Sequence, residues 1–189
     1  MKKIALATLL AVSAFSANAA VELVTNGNFE TGTFAGWTKS GNNSLSDIIS
    51  NTVTSNHTYV WRSGATGSPA FISQNLNTVV GAKYTFSFDV YNSATNADPS
   101  KITFDAMFGG KSVYSFKNEV RNWTHVTLTD LQATSALTEL TFGARNDPSF
   151  IRLDNISVTV QAVPEPETYA MMFAGLGLLG FMAKRRKAA

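Results

Sequence analysis

The 189-residue chain contains no cysteine, which excludes disulfides, thiolate catalysis, thiolate metal sites and redox roles. Its two histidines, His57 and His125, stand in unrelated surroundings without the spacing of a metal site. The sequence also lacks a G-x-S-x-G nucleophile elbow and a P-loop. We therefore expect a protein that is not an enzyme, with His125 on the solvent face of a strand.

Residues 20–163 show no excess of positive charge and no helical period. They hold nine Lys and Arg against eleven Asp and Glu, a net charge of −2. The whole-chain charge of +2 comes from Lys2, Lys3 and the basic cluster at 184–187. A nucleic-acid-binding domain needs a basic stripe on its folded surface, so nucleic acid is excluded as a partner.

The N-terminal stretch has the three regions of a secretory signal peptide. Lys2 and Lys3 precede an apolar run, and small residues follow up to Ala19. Cleavage after Ala19 satisfies the A-x-A pattern. We expect residues 1–19 to be removed after export through the Sec pathway.

The C-terminal stretch combines a proline-rich element, an apolar run and a basic cluster. Pro164-Glu165-Pro166 holds the chain extended before the uncharged run at 169–183. At ~1.5 Å per residue a helix over this run is shorter than the ~30 Å hydrocarbon layer, so it predicts a marginal transmembrane span. The basic residues at 184–187 place the C-terminus in the cytoplasm.

The stretch between these two ends reads as β-structure throughout. Segments rich in Val, Ile, Thr, Phe and Tyr alternate with Gly, Asn, Pro and Ser clusters, which predicts about eight to ten short antiparallel strands. We expect an all-β jelly-roll β-sandwich over residues 20–162, between a signal peptide at 1–19 and a sorting segment at 163–189. The clearest strand covers residues 83–91 and has four apolar residues on one face: Tyr84, Phe86, Phe88 and Val90.

Three local features refine this prediction. The pair Gly109-Gly110 predicts a two-residue hairpin turn with positive φ. In the last strand the apolar parity switches at Asp154-Asn155, which predicts a β-bulge that keeps both halves facing the core. We expect Trp37 and Trp123 to pack in the core.

The C-terminal stretch resembles the PEP-CTERM sorting signal of Gram-negative bacteria, also catalogued as the ice-binding protein C-terminal domain. Pro164, Glu165 and Pro166, the short hydrophobic helix and the basic cluster occur in the order of that signal. The resemblance implies processing by an exosortase near the Pro-Glu-Pro element, with a transient inner-membrane anchor before release to the cell surface or matrix. A plain single-span anchor with a proline-rich stalk is the alternative.

Two further motifs resemble the galactose-binding-domain-like sandwich of carbohydrate-binding modules. They are the stretch at 23–30 near the N-terminus and the Leu153-Asp154-Asn155 element of the last strand, supported by the Phe-Gly-Ala-Arg stretch at 142–145. In that family the corresponding acids often share a structural Ca²⁺. The resemblance implies Glu30 and Asp154 as ligands, with carbonyl oxygens from residues 25–28. The alternative is that both carboxylates only accept hydrogen bonds from loop amides.

Sugar binding requires an aromatic face and nearby polar groups. We expect candidate ligand-binding residues on a strand and in a loop that the family topology could bring together: Tyr59, Trp61, Arg145, Asn146 and Asp147. The alternative, that Tyr59 and Trp61 are core residues, is the one that aromatic side chains on a strand favour. The sequence thus predicts an exported, non-catalytic polysaccharide-binding or structural protein of the extracellular matrix, with a glycan-processing enzyme as the alternative.

Overall fold

The computed structural model describes residues 20–50, 58–147, 149–161, 172–176 and 178–179. The described residues of the N-terminal and middle parts form two five-stranded sheets whose paired strands run antiparallel. Buried apolar side chains fill the space between the sheets. The prediction of an all-β sandwich is confirmed.

The strands follow one another along the chain with one 3₁₀ turn among them. They are β1 (Thr38–Gly41), β2 (Ser46–Ser50), β3 (Tyr59–Ser63), β4 (Ala70–Asn77), β5 (Lys83–Asn92), the turn Pro99–Lys101, β6 (Ile102–Phe108), β7 (Lys111–Lys117), β8 (Arg121–Gln132), β9 (Leu137–Asn146) and β10 (Ile151–Val160). Sheet I has the order β1-β4-β9-β6-β7, and sheet II has the order β2-β3-β10-β5-β8.

Several sequence expectations concern residues outside the described part. These are the signal peptide at 1–19, His57, the Pro164-Glu165-Pro166 element and the basic tail at 184–187. Within the expected span at 169–183, residues 172–176 and 178–179 are helical. No helix in the described part of the chain has the length and apolar character needed to span a bilayer.

Alternation along β5 explains how the sequence builds the core. Tyr84, Phe86, Phe88 and Val90 are almost fully buried, while the residues between them are partly exposed. A strand sends successive side chains to opposite faces, so the apolar set enters the sandwich and the polar set faces outward. The strand prediction for residues 83–91 is confirmed.

Aromatic rings from both sheets meet at Phe142 in the middle of the core. The ring centroid of Phe142 lies 5.3 Å from that of Phe88, 5.6 Å from Phe86, 6.0 Å from Phe104 and 6.2 Å from Trp37. Tilted and edge-to-face contacts of this kind add to the free energy gained from burying the rings. Trp37 therefore packs in the core, as predicted.

The last strand contains the predicted bulge. Its register against β5 shifts between Asp154 and Ser157, and Asn155 has a φ of 50°. Leu153 on one side and Ile156 on the other are both buried. One extra residue at the bulge therefore keeps both halves of the strand in register with the core.

The other two local predictions have different outcomes. Gly109 and Gly110 join β6 to β7 with φ values of 60° and 75°, which confirms the two-residue turn. Trp123, however, is half-buried on the outer face of sheet II, and its ring packs against Tyr91. The prediction of a core position was wrong because the alternation of β8 sends Val126, and not Trp123, inward.

The segment before β1 is fastened to sheet I by the side chain of Gln74. Its Oε1 accepts from the N–H of Thr25 at 2.7 Å, and its Nε2 donates to the carbonyls of Thr25 at 3.0 Å and Gly36 at 2.9 Å. Gln74 is only 9% exposed, so water cannot easily replace these contacts. One amide thus holds both ends of the segment between Thr25 and Gly36.

We expect Gln74→Ala to lower the free energy of unfolding by about 2–3 kcal/mol, because it leaves buried backbone groups without partners. Urea denaturation measures the change. The matched control is Asn75→Ala, which alters the next, exposed residue of β4 and should stay within about 0.5 kcal/mol of the wild type. Equal losses in the two variants would contradict the role assigned to Gln74.

Candidate functional site

Tyr59 and Trp61 lie on the inner face of β3. The Trp61 side chain is fully buried, and its indole Nε1 donates to Oγ of Ser46 at 2.8 Å. Tyr59 is partly buried and packs against the core and beside Gly32. The expectation that Trp61 offers a stacking face is therefore corrected, since the ring is enclosed by the sandwich. The alternative of a core residue is the one that agrees with its position.

Asn146 also has a structural position. It is 1% exposed; its amide nitrogen donates to Oδ1 of Asn92 at 2.8 Å, and its Oδ1 accepts from the N–H of Ser149. Its backbone N–H donates to the carbonyl of Ala65. The loops after β3 and β9 do come together, as expected, but Asn146 is occupied in joining them.

Arg145 and Asp147 form an ion pair at the end of β9. The guanidinium donates two hydrogen bonds to the carboxylate, at 3.1 Å and 2.8 Å, and both side chains are partly exposed. These bonds hold the pKa of the Asp147 carboxyl below its ordinary value and raise the pKa of Arg145. Arg145 alternates with the buried Ala144 and Asn146, so it belongs to the outer face of sheet I.

An aromatic ring occupies the same outer face. Phe71 on β4 is half-buried, between the fully buried Ala70 and Ile72. A Cβ on Gly143 would lie 2.6 Å from Cε1 of Phe71, and one on Gly41 would lie 2.8 Å from its Cδ2. The Phe71 ring therefore occupies space that is available only because both positions are glycine. The part of the ring that does not contact the protein is open to solvent.

Polar side chains surround this ring. Gly143 pairs with Phe71 on one side and with Asp105 of β6 on the other, while Thr141 and Arg145 flank it along β9. Asp105 accepts a hydrogen bond from the Ser112 hydroxyl at 2.5 Å. We call Phe71, Asp105, Thr141, Gly143 and Arg145 the sheet I face. It joins an apolar ring to hydroxyl, carboxylate and guanidinium groups, the combination that sugar rings require.

Sequence reasoning found Arg145 but missed Phe71. The available signal was Gly143, because a glycine inside a strand often marks a close approach by another group. Which side chain makes that approach depends on the pairing of β4 with β9.

The residues that the resemblance implied for calcium have other partners. Glu30 is exposed and accepts from the backbone N–H of Tyr59 at 3.2 Å; Asp154 is 1% exposed and accepts from the N–H of Asn155 at 2.8 Å. Among the described residues there is no group of three or more His, Cys, Asp or Glu that could hold a metal ion.

Three of the four expected carbonyl ligands also have partners within the protein. The carbonyl of Thr25 accepts from Gln74, that of Asn26 from the Trp37 indole at 3.1 Å, and that of Gly27 from the N–H of Ile156 at 2.9 Å. Ca²⁺ needs six to eight oxygen ligands. Three of the four carbonyl oxygens expected as ligands thus already accept hydrogen bonds, and the calcium site stays a prediction.

An open groove of about 360 Å³ lies where the N-terminal segment meets β10. The carboxylate in it, Glu22, accepts from the N–H groups of Val24 and Val158 and from the Ser157 hydroxyl. These bonds tie the N-terminal segment to the last strand. The groove therefore lies along a structural contact between two parts of the chain, and its carboxylate already has partners. The sheet I face remains the stronger candidate for ligand binding.

Solved structures share this architecture. The chain is similar to TmCBM61 in complex with β-1,4-galactotriose, with 15% identity and a TM-score of 0.62 over 75% of this chain and 99% of that one. It is similar to the xylan-binding domain CBM22-1 of Paenibacillus barcinonensis Xyn10C, with 15% identity and a TM-score of 0.53 over 78% and 100%.

An enzyme structure also matches, in part of its length. It is the Clostridium thermocellum endo-1,4-β-D-xylanase 10B CBM22-1-GH10 modules complexed with xylohexaose, with 15% identity and a TM-score of 0.56 over 75% of this chain and 29% of that one. At 15% sequence identity, the similarity to these three structures shows only that the fold is shared.

Comparison of the sequence with protein-family models assigns the chain to a family, which the structural similarity does not. Residues 162–187 match the PEP-CTERM protein-sorting motif. Residues 21–142, well over half of the chain, match the carbohydrate binding domain, a family of non-catalytic modules. No curated protein matches. Both resemblances are thereby confirmed, and the chain belongs to the carbohydrate binding domain family and carries a PEP-CTERM sorting motif.

Proposed function

We propose that the protein is a non-catalytic polysaccharide-binding module that holds glycan on the sheet I face. The observation that carries this proposal is the Phe71 ring, set between Gly41 and Gly143 on a polar outer surface. Placement against backbone fixes the ring before any ligand arrives, so little conformational entropy is lost on binding. A sugar ring would stack on its open surface.

The polar groups around Phe71 have complementary roles. The Asp105 carboxylate accepts hydrogen bonds from sugar hydroxyls, and the Arg145 guanidinium, held by Asp147, donates them. The two charges of the Arg145–Asp147 pair cancel, so the three charged groups leave the net negative charge of Asp105, which disfavours an acidic glycan and suits a neutral one. Ser112 holds the Asp105 carboxylate and Asp147 holds the Arg145 guanidinium, so both groups have fixed positions. Fixed positions favour recognition of one orientation of the sugar.

The pKa of Asp147 argues against this carboxyl as the catalytic acid of a glycan-processing enzyme, the alternative function. A glycosidase requires one carboxyl group with a raised pKa to act as the general acid. The pKa of Asp147 is shifted the opposite way by its hydrogen bonds from Arg145. Asp147 would therefore remain ionised and could not protonate a leaving group at neutral pH.

The sorting motif supports the location of this binding activity. We propose export through the Sec pathway, a transient inner-membrane anchor with the C-terminus in the cytoplasm, and processing by an exosortase. The module would then reach the cell surface or extracellular matrix of a Gram-negative bacterium. There it would bind exopolysaccharide and contribute to the biofilm matrix.

Phe71→Ala tests the sheet I face. We expect at least a tenfold loss of affinity for the preferred neutral glycan, measured by affinity electrophoresis over a broad panel, because an aromatic anchor is lost. The control is Leu137→Ala, which removes another exposed apolar side chain from sheet I and should bind normally. Unchanged binding by a folded Phe71→Ala protein, or no neutral glycan bound by the wild type, would refute the proposal.

Processing can be tested in cells that contain an exosortase. Intact-mass measurements on envelope and medium fractions should show a form without residues 1–19 and without the tail beyond about Pro166. Recovery of only the full-length tail in the inner membrane would instead favour the plain anchor.

We further propose that the N-terminal segment before β1 packs against the two sheets without bound calcium. A ligand that binds only the native state raises its melting temperature, so EDTA should leave the melting curve unchanged. The carbonyls that accept from Gln74, Trp37 and Ile156 support this expectation. A lower melting temperature in EDTA that is abolished in Glu30→Gln would establish the metal site after all.

A further inference from the structure

The outer face of sheet II carries a row of aromatic and charged side chains that crosses all five strands. Strand register pairs Asp47 with Arg62, Arg62 with Arg152, and Arg152 with Tyr91, and the ring of Tyr91 contacts Trp123. We call these five residues the arginine–aromatic row. Neighbouring strands lie about 4.8 Å apart, so the row is roughly 19 Å long.

At one end of the row Arg62 is fully engaged. Its Nε and one terminal nitrogen donate to the carboxylate of Asp47 at 2.6 Å and 2.9 Å. The ring of Phe150 lies 4.4 Å from the guanidinium carbon, in space that Gly64 leaves open. The positive charge of Arg62 is therefore balanced within the protein.

Arg152, at the centre of the row, differs in this respect. Its guanidinium lies 5.2 Å from the ring centroid of Tyr91, and it forms no hydrogen bond or ion pair with the described residues. Its Nε is inaccessible to solvent and has no acceptor. This one buried donor without an acceptor is costly, because it has lost its hydration without gaining a partner.

The aromatic end of the row provides a surface beside Arg152. The Tyr91 and Trp123 rings have centroids 5.6 Å apart and planes inclined by 34°, and both are half-buried. Cation–π contact with Tyr91 holds the guanidinium in place on this surface. Arg152 is thus pre-organised next to two apolar rings.

Charge indicates which ligand this arrangement suits. Asp47 cancels Arg62, so the row carries the net positive charge of Arg152. Two carboxylates lie beyond the row, at the paired positions Asp89 and Asp154, and both have partners in the protein. Asp89 is bound by Nδ1 of His125 at 2.6 Å and by the Asn155 amide at 2.8 Å, and Asp154, which is 1% exposed, accepts from the N–H of Asn155 at 2.8 Å. A planar guanidinium with free donors matches a carboxylate, which it can bind through two parallel hydrogen bonds.

We propose that the arginine–aromatic row is a second ligand-binding face, specific for an acidic polysaccharide. A sugar carboxylate binds Arg152, and the ring of that sugar packs on Tyr91 and Trp123. The length of the row accommodates an extended chain of several sugars. Because this face and the sheet I face lie on opposite sides of the sandwich, one molecule can join a neutral and an acidic chain.

The experiment compares polygalacturonate with the same polymer after reduction of its carboxyl groups, with the purified full-length protein as binder. The wild type should bind the acidic polymer at least about tenfold more tightly than the reduced one, because charge-assisted hydrogen bonds are lost on reduction. Arg152→Gln should remove this preference. Arg152→Lys, which keeps the charge without the bidentate geometry, should lose most of it.

The matched control is Lys111→Gln. It removes the same charge from an exposed position on β7 of sheet I and should leave the preference intact. A thermal melt of each variant excludes unfolding as the cause of a loss. Trp123→Ala should weaken binding of the acidic polymer with little change in the melting temperature, since Trp123 is outside the core.

Two results would overturn the inference. One is binding of polygalacturonate that is unchanged in both Arg152→Gln and Trp123→Ala, and the other is no wild-type binding to polygalacturonate, alginate or hyaluronate. Either result leaves the sheet I face untouched, because that face is measured with neutral glycan and Phe71→Ala. Failure of this inference and failure of the proposed function are therefore distinguishable.

Discussion

The packing of aromatic rings between the two sheets is the interaction on which the rest of the structure depends. Phe142 of sheet I contacts Phe86 and Phe88 of sheet II, and Trp37 from the N-terminal segment closes against the same ring. Burial of these rings removes apolar surface from water and sets which side of every strand faces inward. The outward side chains, including those of the two proposed ligand-binding faces, are set at the same time.

The two outer faces result from this separation of inward-facing and outward-facing side chains. On sheet I, Gly143 lies outward between the inward-facing Phe142 and Ala144, which gives Phe71 a place against the backbone. On sheet II, Arg152 lies outward between Ile151 and Leu153 and meets Tyr91 across the strand gap. One core therefore positions two different surfaces, one with the Asp105 carboxylate beside a paired arginine and one with an arginine that has no ion pair among the described residues.

The terminal segments serve the module in different ways. The segment before β1 is held on the sandwich from two sides: Gln74 of sheet I donates to the carbonyls of Thr25 and Gly36, and Glu22 of the segment accepts from the N–H of Val158 in β10. The sorting motif at 162–187 follows the last strand directly. The first segment is thus part of the fold, while the second is a linear sorting signal that follows it.

The sequence alone determined the features that depend on local pattern. Alternating apolar residues identified β5, paired glycines identified the β6–β7 turn, and the change of parity at Asp154 identified the bulge, because each is encoded within a few neighbouring residues. The C-terminal motif was equally readable, since a sorting signal is recognised as a linear segment. The family could be inferred from the motifs at the two ends of the domain.

Only the tertiary structure decided which residues form the two proposed binding faces. The sequence pointed to Tyr59 and Trp61, but their strand presents them to the core, and Trp123, which was expected inside, lies outside. Phe71 meets Gly143 across 72 residues of chain, and Arg152 meets Arg62 across 90. Such neighbours are set by strand order and register, which arise from the packing of the whole sandwich and not from any single stretch.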